Sequence, residues 1–114
     1  MKRLTKPEGK YNLVIEEALM PQPAPGEVRI KAVRSLISRG SEMGARYTRE
    51  HAVSPDIMGY SMAGTIDAVG SDVTQFTPGD RVVALAPHAE YTISAATAGS
   101  PRDQSRVEIG RAHV

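Results

Sequence analysis

The sequence predicts a small, mainly β domain, a barrel or sandwich built from five or six short strands. Several short segments alternate apolar and polar residues with a period of two, whereas helical periodicity is nearly absent. Ten glycines and eight prolines separate these segments, as is typical of turns between strands. These observations favour a small all-β architecture over any helical fold.

The first half of the chain predicts a hairpin, a loop, a strand and a long excursion. Two short strands flank the turn residues Pro7–Lys10, and the prolines of MPQPAPGE favour a stiff surface loop after them. The segment EVRIKAV then has the alternation of a half-buried strand. From Arg39 to Pro55 the alternation of apolar and polar residues is absent. This segment is predicted to be a long irregular excursion from the strands, with one weakly helical piece, SEMGARYTREHA. Long irregular segments of this kind often carry function.

The second half predicts three further strands. AGTIDAVG forms the first, and SDVTQFT forms a bend that turns Val73 and Phe76 inward. Pro78 and Gly79 suit the central positions of a type II turn, because proline presets the first dihedral and glycine accepts the positive one. RVVAL and HAEYTIS supply the last two strands.

Composition excludes several classes of protein. The net charge of +1 and the scattered lysines and arginines argue against nucleic acid as a partner. No apolar run is long enough to cross a bilayer, and no apolar signal core is present, so we expect a cytoplasmic protein without a membrane partner. The absence of cysteine excludes disulfides and thiolate metal ligands within this chain.

The stretch GYSMAGTIDAVGSDVTQFTPGDRV resembles the glycine-rich signature of the medium-chain dehydrogenase/reductase superfamily, which includes the zinc alcohol dehydrogenases. The matching positions are Gly59, Gly64, Val69, Gly70, Val73, Gly79, Asp80, Arg81 and Val82. PAPGEVRIKAV and PHAEYTI extend the resemblance over residues 1–94. The resemblance implies a GroES-like, partly open β-barrel, the N-terminal catalytic domain of that family. SLISRGSE, GYS and PHAE are similar to the branch that includes the bacteriochlorophyllide dehydrogenases.

The end of the chain differs in character from the rest. Residues 95–114, AATAGSPRDQSRVEIGRAHV, show neither strand nor helix period. The last six residues, Ile109–Val114, are the in-frame translation of a nucleotide string that resembles a common sequencing-library adapter. We therefore expect a domain over residues 1–94 and an unstructured, non-native tail over 95–114, in a fragment that lacks the family's Rossmann domain.

The resemblance also implies that no zinc is bound. Zinc members of the family have a cysteine before the relay hydroxyl, and a histidine and a glutamate after the first signature glycine. This chain has Ser38, Tyr60 and Ser61 at those positions. The implied activity is hydride transfer between NAD(P)(H) and an alcohol, carbonyl or activated alkene. We expect a small-molecule substrate, a full-length homodimer, and no activity from this fragment alone.

Four residues form the predicted site. The resemblance places Arg39 against the cofactor pyrophosphate, and a solvated loop arginine is the alternative. Ser41 corresponds to the relay hydroxyl if Gly40 is an inserted residue. Tyr60 is either a general acid or a packed barrel residue. His88 either faces the cleft as a proton shuttle or caps the end of a strand.

Two other interpretations remain open. The chain could be a stand-alone GroES-like barrel that acts as an interaction module, with Arg39–Pro55 as its binding loop. Alternatively, the fragment folds poorly by itself, because the apolar surface that a Rossmann domain covers is left exposed.

Overall fold

In a computed structural model, the chain forms two antiparallel sheets. The structure describes residues 1–37, 46–59 and 61–96, together with the backbone of residues 110–111. The small sheet pairs β1 (Lys2–Thr5) with β2 (Val14–Glu17). The large sheet has the strand order β6-β3-β4-β5-β7. Its strands are β3 (Glu27–Leu36), β4 (Ser61–Val69), β5 (Arg81–Leu85), β6 (Tyr91–Ala95) and β7 (Gly110–Arg111).

The prediction of a mainly β fold is confirmed, and β1 to β6 lie where the sequence predicts strands. β7 lies within residues 95–114, for which the sequence predicts no strand. Within the described ranges the helical structure is a single 3-10 turn, Pro55–Ile57, and the backbone N–H of Asp56 donates to Ser54 Oγ at its start. The two sheets are open and do not close on each other in the described residues. This arrangement is consistent with part of a GroES-like domain.

The main hydrophobic core lies on the inner face of the large sheet. It contains aliphatic side chains that alternate along β3, β4 and β5 with more exposed ones, and two alanines that directly follow β5 and β6: Val28, Ile30, Met62, Ile66, Val82, Ala84, Ala86 and Ala96. Val73 and Phe76 pack against this core from the bend after β4, as predicted. The alternating pattern of the sequence therefore specifies which face of the sheet is buried.

Two features of the signature are required by backbone geometry. A Cβ on Gly64 would collide with the carbonyl oxygen of Lys31 on the neighbouring strand, and one on Gly70 would collide with that of Ala24. The turn at Gly79 has φ +99°, and the backbone N–H of Asp80 donates to the carbonyl of Thr77 at 3.0 Å. Asp80 Oδ2 also accepts from the backbone N–H of Thr77 at 3.0 Å, as expected for a carboxylate that stabilises the turn.

A β-bulge at Val33 changes the direction of the side chains near the end of β3. Ala32 pairs with Gly64, whereas Arg34 pairs with Ala63, so Val33 is the extra residue. A one-residue insertion exchanges the two faces of a strand. As a result Ser35, which pairs with Met62, lies on the inner face after the bulge.

A second, smaller core attaches the N-terminal region to the loop before β4. Tyr47, Val53 and Met58 are buried together, and Leu4 packs against them. Lys6 is completely buried beside this group, and its Nζ donates to the carbonyl of His51 at 2.7 Å and to that of Pro7 at 3.3 Å. This region therefore combines a few apolar side chains with a buried cation bound to backbone carbonyls.

Two sequence predictions fall mainly outside the described residues. The helical piece SEMGARYTREHA is described from Arg46 onward, where Arg46–Thr48 form a turn. At the C-terminus, Gly110 and Arg111 pair with Val83 and Val82 of β5. The division into residues 1–94 and 95–114 stays a prediction. No helix in the described part of the chain is long and apolar enough to cross a membrane.

Candidate functional site

Three strand ends meet at one edge of the large sheet. Leu36, the last residue of β3, pairs with Ser61, the first residue of β4. Ser61 in turn pairs with Leu85, the last residue of β5. We call this place, defined by Leu36, Ser61 and Leu85, the strand-end edge. Segments that leave β3 and β5 there, and the segment that enters β4, start close together in space.

The predicted site residues follow or precede these strand ends along the chain. Arg39 and Ser41 come shortly after β3, Tyr60 comes immediately before β4, and His88 comes three residues after Leu85. Of the four, the structure describes His88, and the other three lie outside the described residues. Their roles stay predictions.

His88 is held by its backbone and by its ring. Its N–H donates to the carbonyl of Met58 at 2.5 Å, and its carbonyl accepts from the N–H of Leu4 at 2.8 Å. The ring Nδ1 and the hydroxyl of Ser35 are hydrogen-bond partners. The half-buried histidine thus connects the loop before β4, the N-terminal strand and the end of β3.

Gly59, the first glycine of the signature, allows the backbone to pass beside His88. Its φ is +131°, and a Cβ at this position would lie 2.6 Å from the His88 nitrogen and 2.8 Å from the carbonyl carbon of Pro87. Arg46 Nη1 donates to the Gly59 carbonyl at 3.1 Å, which fixes the peptide that precedes Tyr60. A larger residue would push the two segments apart.

Ser35 is a site residue that the sequence analysis missed. Alternation along EVRIKAVRSL assigns Arg34 to the same face as Val28 and Ile30. The bulge at Val33 reverses this assignment and directs Ser35 toward His88. A bulge without a glycine leaves no signal in one sequence, so pattern analysis could not have found this pair.

An open cleft of about 730 Å³ lies beside the Ser35–His88 pair. It separates β1 and β2 from the end of β3, and residues 88–90 close it on one side. Those residues run along β1, where the N–H of Glu90 donates to the carbonyl of Lys2 at 2.9 Å. The cleft is large enough for a small organic molecule.

The lining of the cleft combines apolar and charged side chains. Leu4, Ile15 and Ala32 contribute apolar surface, whereas Lys2 and Arg34 contribute positive charge. Glu90 and Arg3 also line it, and the Arg3 guanidinium forms an ion pair with Glu16 at 2.6 Å. Such a combination suits a small molecule with an apolar body and a polar or anionic group.

The described residues around the strand-end edge do not include a set of ligands for a catalytic zinc ion. Zinc sites use three protein ligands drawn from thiolates, imidazoles and carboxylates. The described residues contain no group of three such side chains. His88 is an imidazole, and the ring contact described for it at the edge is with the hydroxyl of Ser35, which is not a zinc ligand.

Comparison with known proteins identifies the domain. The family model of the alcohol dehydrogenase GroES-like domain matches residues 24–108. This range includes the whole of the large sheet up to β6, the strand-end edge and His88.

Individual relatives agree with that match. The chain is 37% identical over 73 residues to alcohol dehydrogenase-like 6 of Arabidopsis thaliana, covering 64% of this chain and 18% of the relative. It is 33% identical over 85 residues to acryloyl-coenzyme A reductase of Metallosphaera sedula, covering 75% of this chain and 26% of the relative.

A solved structure shows the same fold. A mycobacterial protein in complex with NADPH is 29% identical, with a TM-score of 0.63, over 90% of this chain and 34% of that one. The chain thus spans about a fifth to a third of the length of these similar proteins.

Proposed function

Because the chain belongs to the alcohol dehydrogenase GroES-like domain family, we propose that it is the N-terminal part of a nicotinamide-dependent oxidoreductase. The whole enzyme would transfer hydride between NAD(P)(H) and an alcohol, carbonyl or activated alkene. The observation that carries the proposal is the strand-end edge, where Leu36, Ser61 and Leu85 bring the flanks of the predicted site residues together. Similarity to alcohol dehydrogenases and to an NADPH complex supports the choice of cofactor.

The residues of this chain would transfer the proton and would form part of the cofactor-binding site. The cofactor, when bound, supplies or accepts the hydride. His88 would exchange the proton of the substrate oxygen, because an imidazole can both give and take a proton near neutral pH. Tyr60 and Ser41 would donate hydrogen bonds to that oxygen, and Arg39 would contact the pyrophosphate with its planar guanidinium.

We also propose that the enzyme works without zinc. Ser38, Tyr60 and Ser61 replace the residues that bind or support the metal in zinc relatives, and serine and tyrosine hydroxyls are poor zinc ligands. Stoichiometric zinc in the purified full-length protein, measured by elemental analysis, would contradict this part of the proposal.

The proposal extends to the state of the whole protein. The remaining length of the relatives would supply a Rossmann domain, and the 114-residue chain alone would be inactive. We propose a homodimer in the cytoplasm, a location that agrees with the absence of cysteine. The residues after position 94 are proposed to be non-native.

The decisive experiment is to extend the chain with the genomic coding sequence downstream of Ile93 and to assay NAD(P)H oxidation with simple aldehydes, enones and quinones. His88→Gln in the extended protein should lower kcat about 10²-fold or more, the contribution typical of a general acid or base. The matched control is His51→Gln, whose exposed ring lies outside the strand-end edge and should leave kcat unchanged. Equal kcat values for the two variants would show that His88 does not take part in proton transfer.

A second candidate function rests on the outer face of the large sheet. Leu36, Val83 and Leu85 expose 55%, 43% and 41% of their surface near the strand-end edge. A stand-alone interaction module would use this face for assembly, whereas an incomplete enzyme would leave it uncovered. Size-exclusion chromatography of the 114-residue chain distinguishes the two, because a defined ring supports the module and soluble aggregate supports the incomplete enzyme.

A further inference from the structure

We propose that Ser35 is the positioning residue for His88: its hydroxyl accepts a hydrogen bond from Nδ1–H and so reserves Nε2 for proton exchange. This inference rests on the proposed function, in which His88 exchanges a proton with the substrate. It begins from the contact between Ser35 Oγ and His88 Nδ1.

The backbone on both sides of the contact is fixed by other elements. Ser35 is paired with Met62 across the β3–β4 ladder, and the bulge at Val33 sets its direction. His88 is bound through its N–H to Met58 and through its carbonyl to Leu4. Strand pairing therefore positions the backbone of Ser35, and loop hydrogen bonds position that of His88, so rotation about the side-chain bonds is the remaining freedom.

The direction of the hydrogen bond follows from the chemistry that His88 has to perform. An imidazole that gives and takes a proton at Nε2 keeps its other proton on Nδ1 in both charge states. A hydroxyl oxygen can accept that Nδ1–H, whether the ring is neutral or positively charged, and it orients the ring. When a substrate hydroxyl is oxidised, its proton moves to Nε2, and the new positive charge on the ring is stabilised by the Ser35 oxygen.

The cleft gives Ser35 a second connection. The serine is solvent-exposed and lines the cleft together with His88 and Arg34. Its hydroxyl can accept from Nδ1–H and donate to water in the cleft at the same time, because a hydroxyl has one donor and two acceptor sites. The hydrogen bond is therefore satisfied without burying an unpaired polar group.

The tautomer of His88 tests this inference without any cofactor or substrate. We would record two-bond nitrogen–proton correlation spectra of the 15N-labelled extended protein without cofactor or substrate, at a pH about two units above the ordinary histidine pKa. His88→Gln assigns the signal of interest. The proposal predicts the Nδ1–H tautomer as the main form in the wild type, and a change to mainly Nε2–H in Ser35→Ala. Ser35→Thr, which keeps a hydroxyl, should retain Nδ1–H, and His51 should be the same in all variants.

Two results would overturn the proposal. One is an Nε2–H tautomer in the wild-type chain, a result that needs no variant to fold. The other is an Nδ1–H tautomer that Ser35→Ala leaves unchanged, with dispersed amide signals confirming that the variant is folded.

Activity of the extended enzyme separates this inference from the proposed function. There, Ser35→Ala should lower kcat about tenfold at nearly constant KM, since it removes orientation and not substrate binding. If His88→Gln keeps full activity, the proposed function of His88 fails. If His88→Gln is inactive but Ser35→Ala changes neither tautomer nor kcat, only the role of Ser35 fails.

Discussion

The large sheet and the N-terminal region are stabilised in different ways. The sheet buries a continuous set of aliphatic side chains from β3, β4 and β5. The N-terminal region buries Tyr47, Val53 and Met58, and relies on the buried Lys6 to bind the loop backbone. The first kind of stability scales with buried apolar area, whereas the second depends on individual hydrogen bonds in a poorly hydrated environment.

This difference matters because the candidate site lies where the two regions meet. His88 receives its backbone contacts from Leu4 of the N-terminal region and from Met58 of the loop before β4, and its ring contact from Ser35 of the large sheet. The geometry of the site should therefore be lost when either region opens, even if the other one remains folded.

We expect the largest effect on stability from a substitution that places an extra methyl group between β3 and β4. In Gly64→Ala the new methyl would collide with the Lys31 carbonyl oxygen and lie 3.0 Å from Ile30 Cγ2, so the two central strands must separate. We expect a loss of about 4 kcal/mol or more in the free energy of unfolding, measured by urea denaturation.

Gly79→Ala is the matched control for this substitution. No atom lies within 4 Å of its new methyl, but its φ of +99° is unfavourable for alanine. It should lose only about 1–2 kcal/mol. Equal losses in the two variants would mean that β3 and β4 are not as close as described.

A cavity in the aliphatic core should have the next largest effect. Ile30 is completely buried, and Ile30→Ala should lower the free energy of unfolding by about 2–5 kcal/mol. Val83, which is 43% exposed on the other face of the sheet, is the control, and Val83→Ala should change stability by no more than about 0.5 kcal/mol. If Val83→Ala lowered stability more than Ile30→Ala, the buried and exposed faces of the sheet would be assigned wrongly.

Removing the buried cation should affect the N-terminal region alone. Lys6→Met keeps the length of the side chain but leaves the carbonyls of His51 and Pro7 without their donor, which costs about 1–3 kcal/mol. Hydrogen exchange should become faster at the Val53 N–H, which donates to the backbone carbonyl of Lys6. It should stay unchanged at the Ile66 N–H, which donates to the backbone carbonyl of Asp80.

Lys10→Met is the control for the buried lysine. The ion pair of Lys10 with Glu50 is exposed at both ends, with 60% and 69% of the side chains accessible, so its loss should be barely measurable. Uniformly faster exchange in Lys6→Met would show instead that the two regions unfold as one unit.

The smallest effect is expected for the surface of the large sheet. Arg29 forms an ion pair with Asp67 at 2.6 Å and lies over the ring of Tyr91, and it also donates to the carbonyl of Pro21. Asp67→Asn should lower the free energy of unfolding by about 0.5–1 kcal/mol, and added salt should reduce that difference. A difference that does not depend on salt would assign the loss to hydrogen bonding and not to charge.

Much of the fold could be predicted because strands with one buried face leave a pattern in the sequence. EVRIKAV, AGTIDAVG and RVVAL all show alternation, and all three are strands. Turn chemistry is equally local, so Pro78, Gly79 and Asp80 specify their turn within a few residues. Gly64 and Gly70, both matching positions of the signature, are places of close backbone approach.

The sequence predicted only some of the residues of the candidate site. His88 was found because it belongs to a motif, PHAEY, that resembles the family's. Ser35 was not found, because its direction depends on a bulge, and the burial of Lys6 could not be expected from a residue type that is usually exposed.

By itself, then, the sequence determined the strands and the turns, since these depend on short-range periodicity and on residues with special backbone preferences. The family followed from the resemblance of its signature motif. Only the tertiary structure decided that Ser35 meets His88, that Gly59 lies against Pro87, and that Lys6 fastens the loop at His51. Each of these contacts joins segments distant in the chain, so no local pattern encodes them. For Ser35, strand register and one inserted residue set the direction of the side chain.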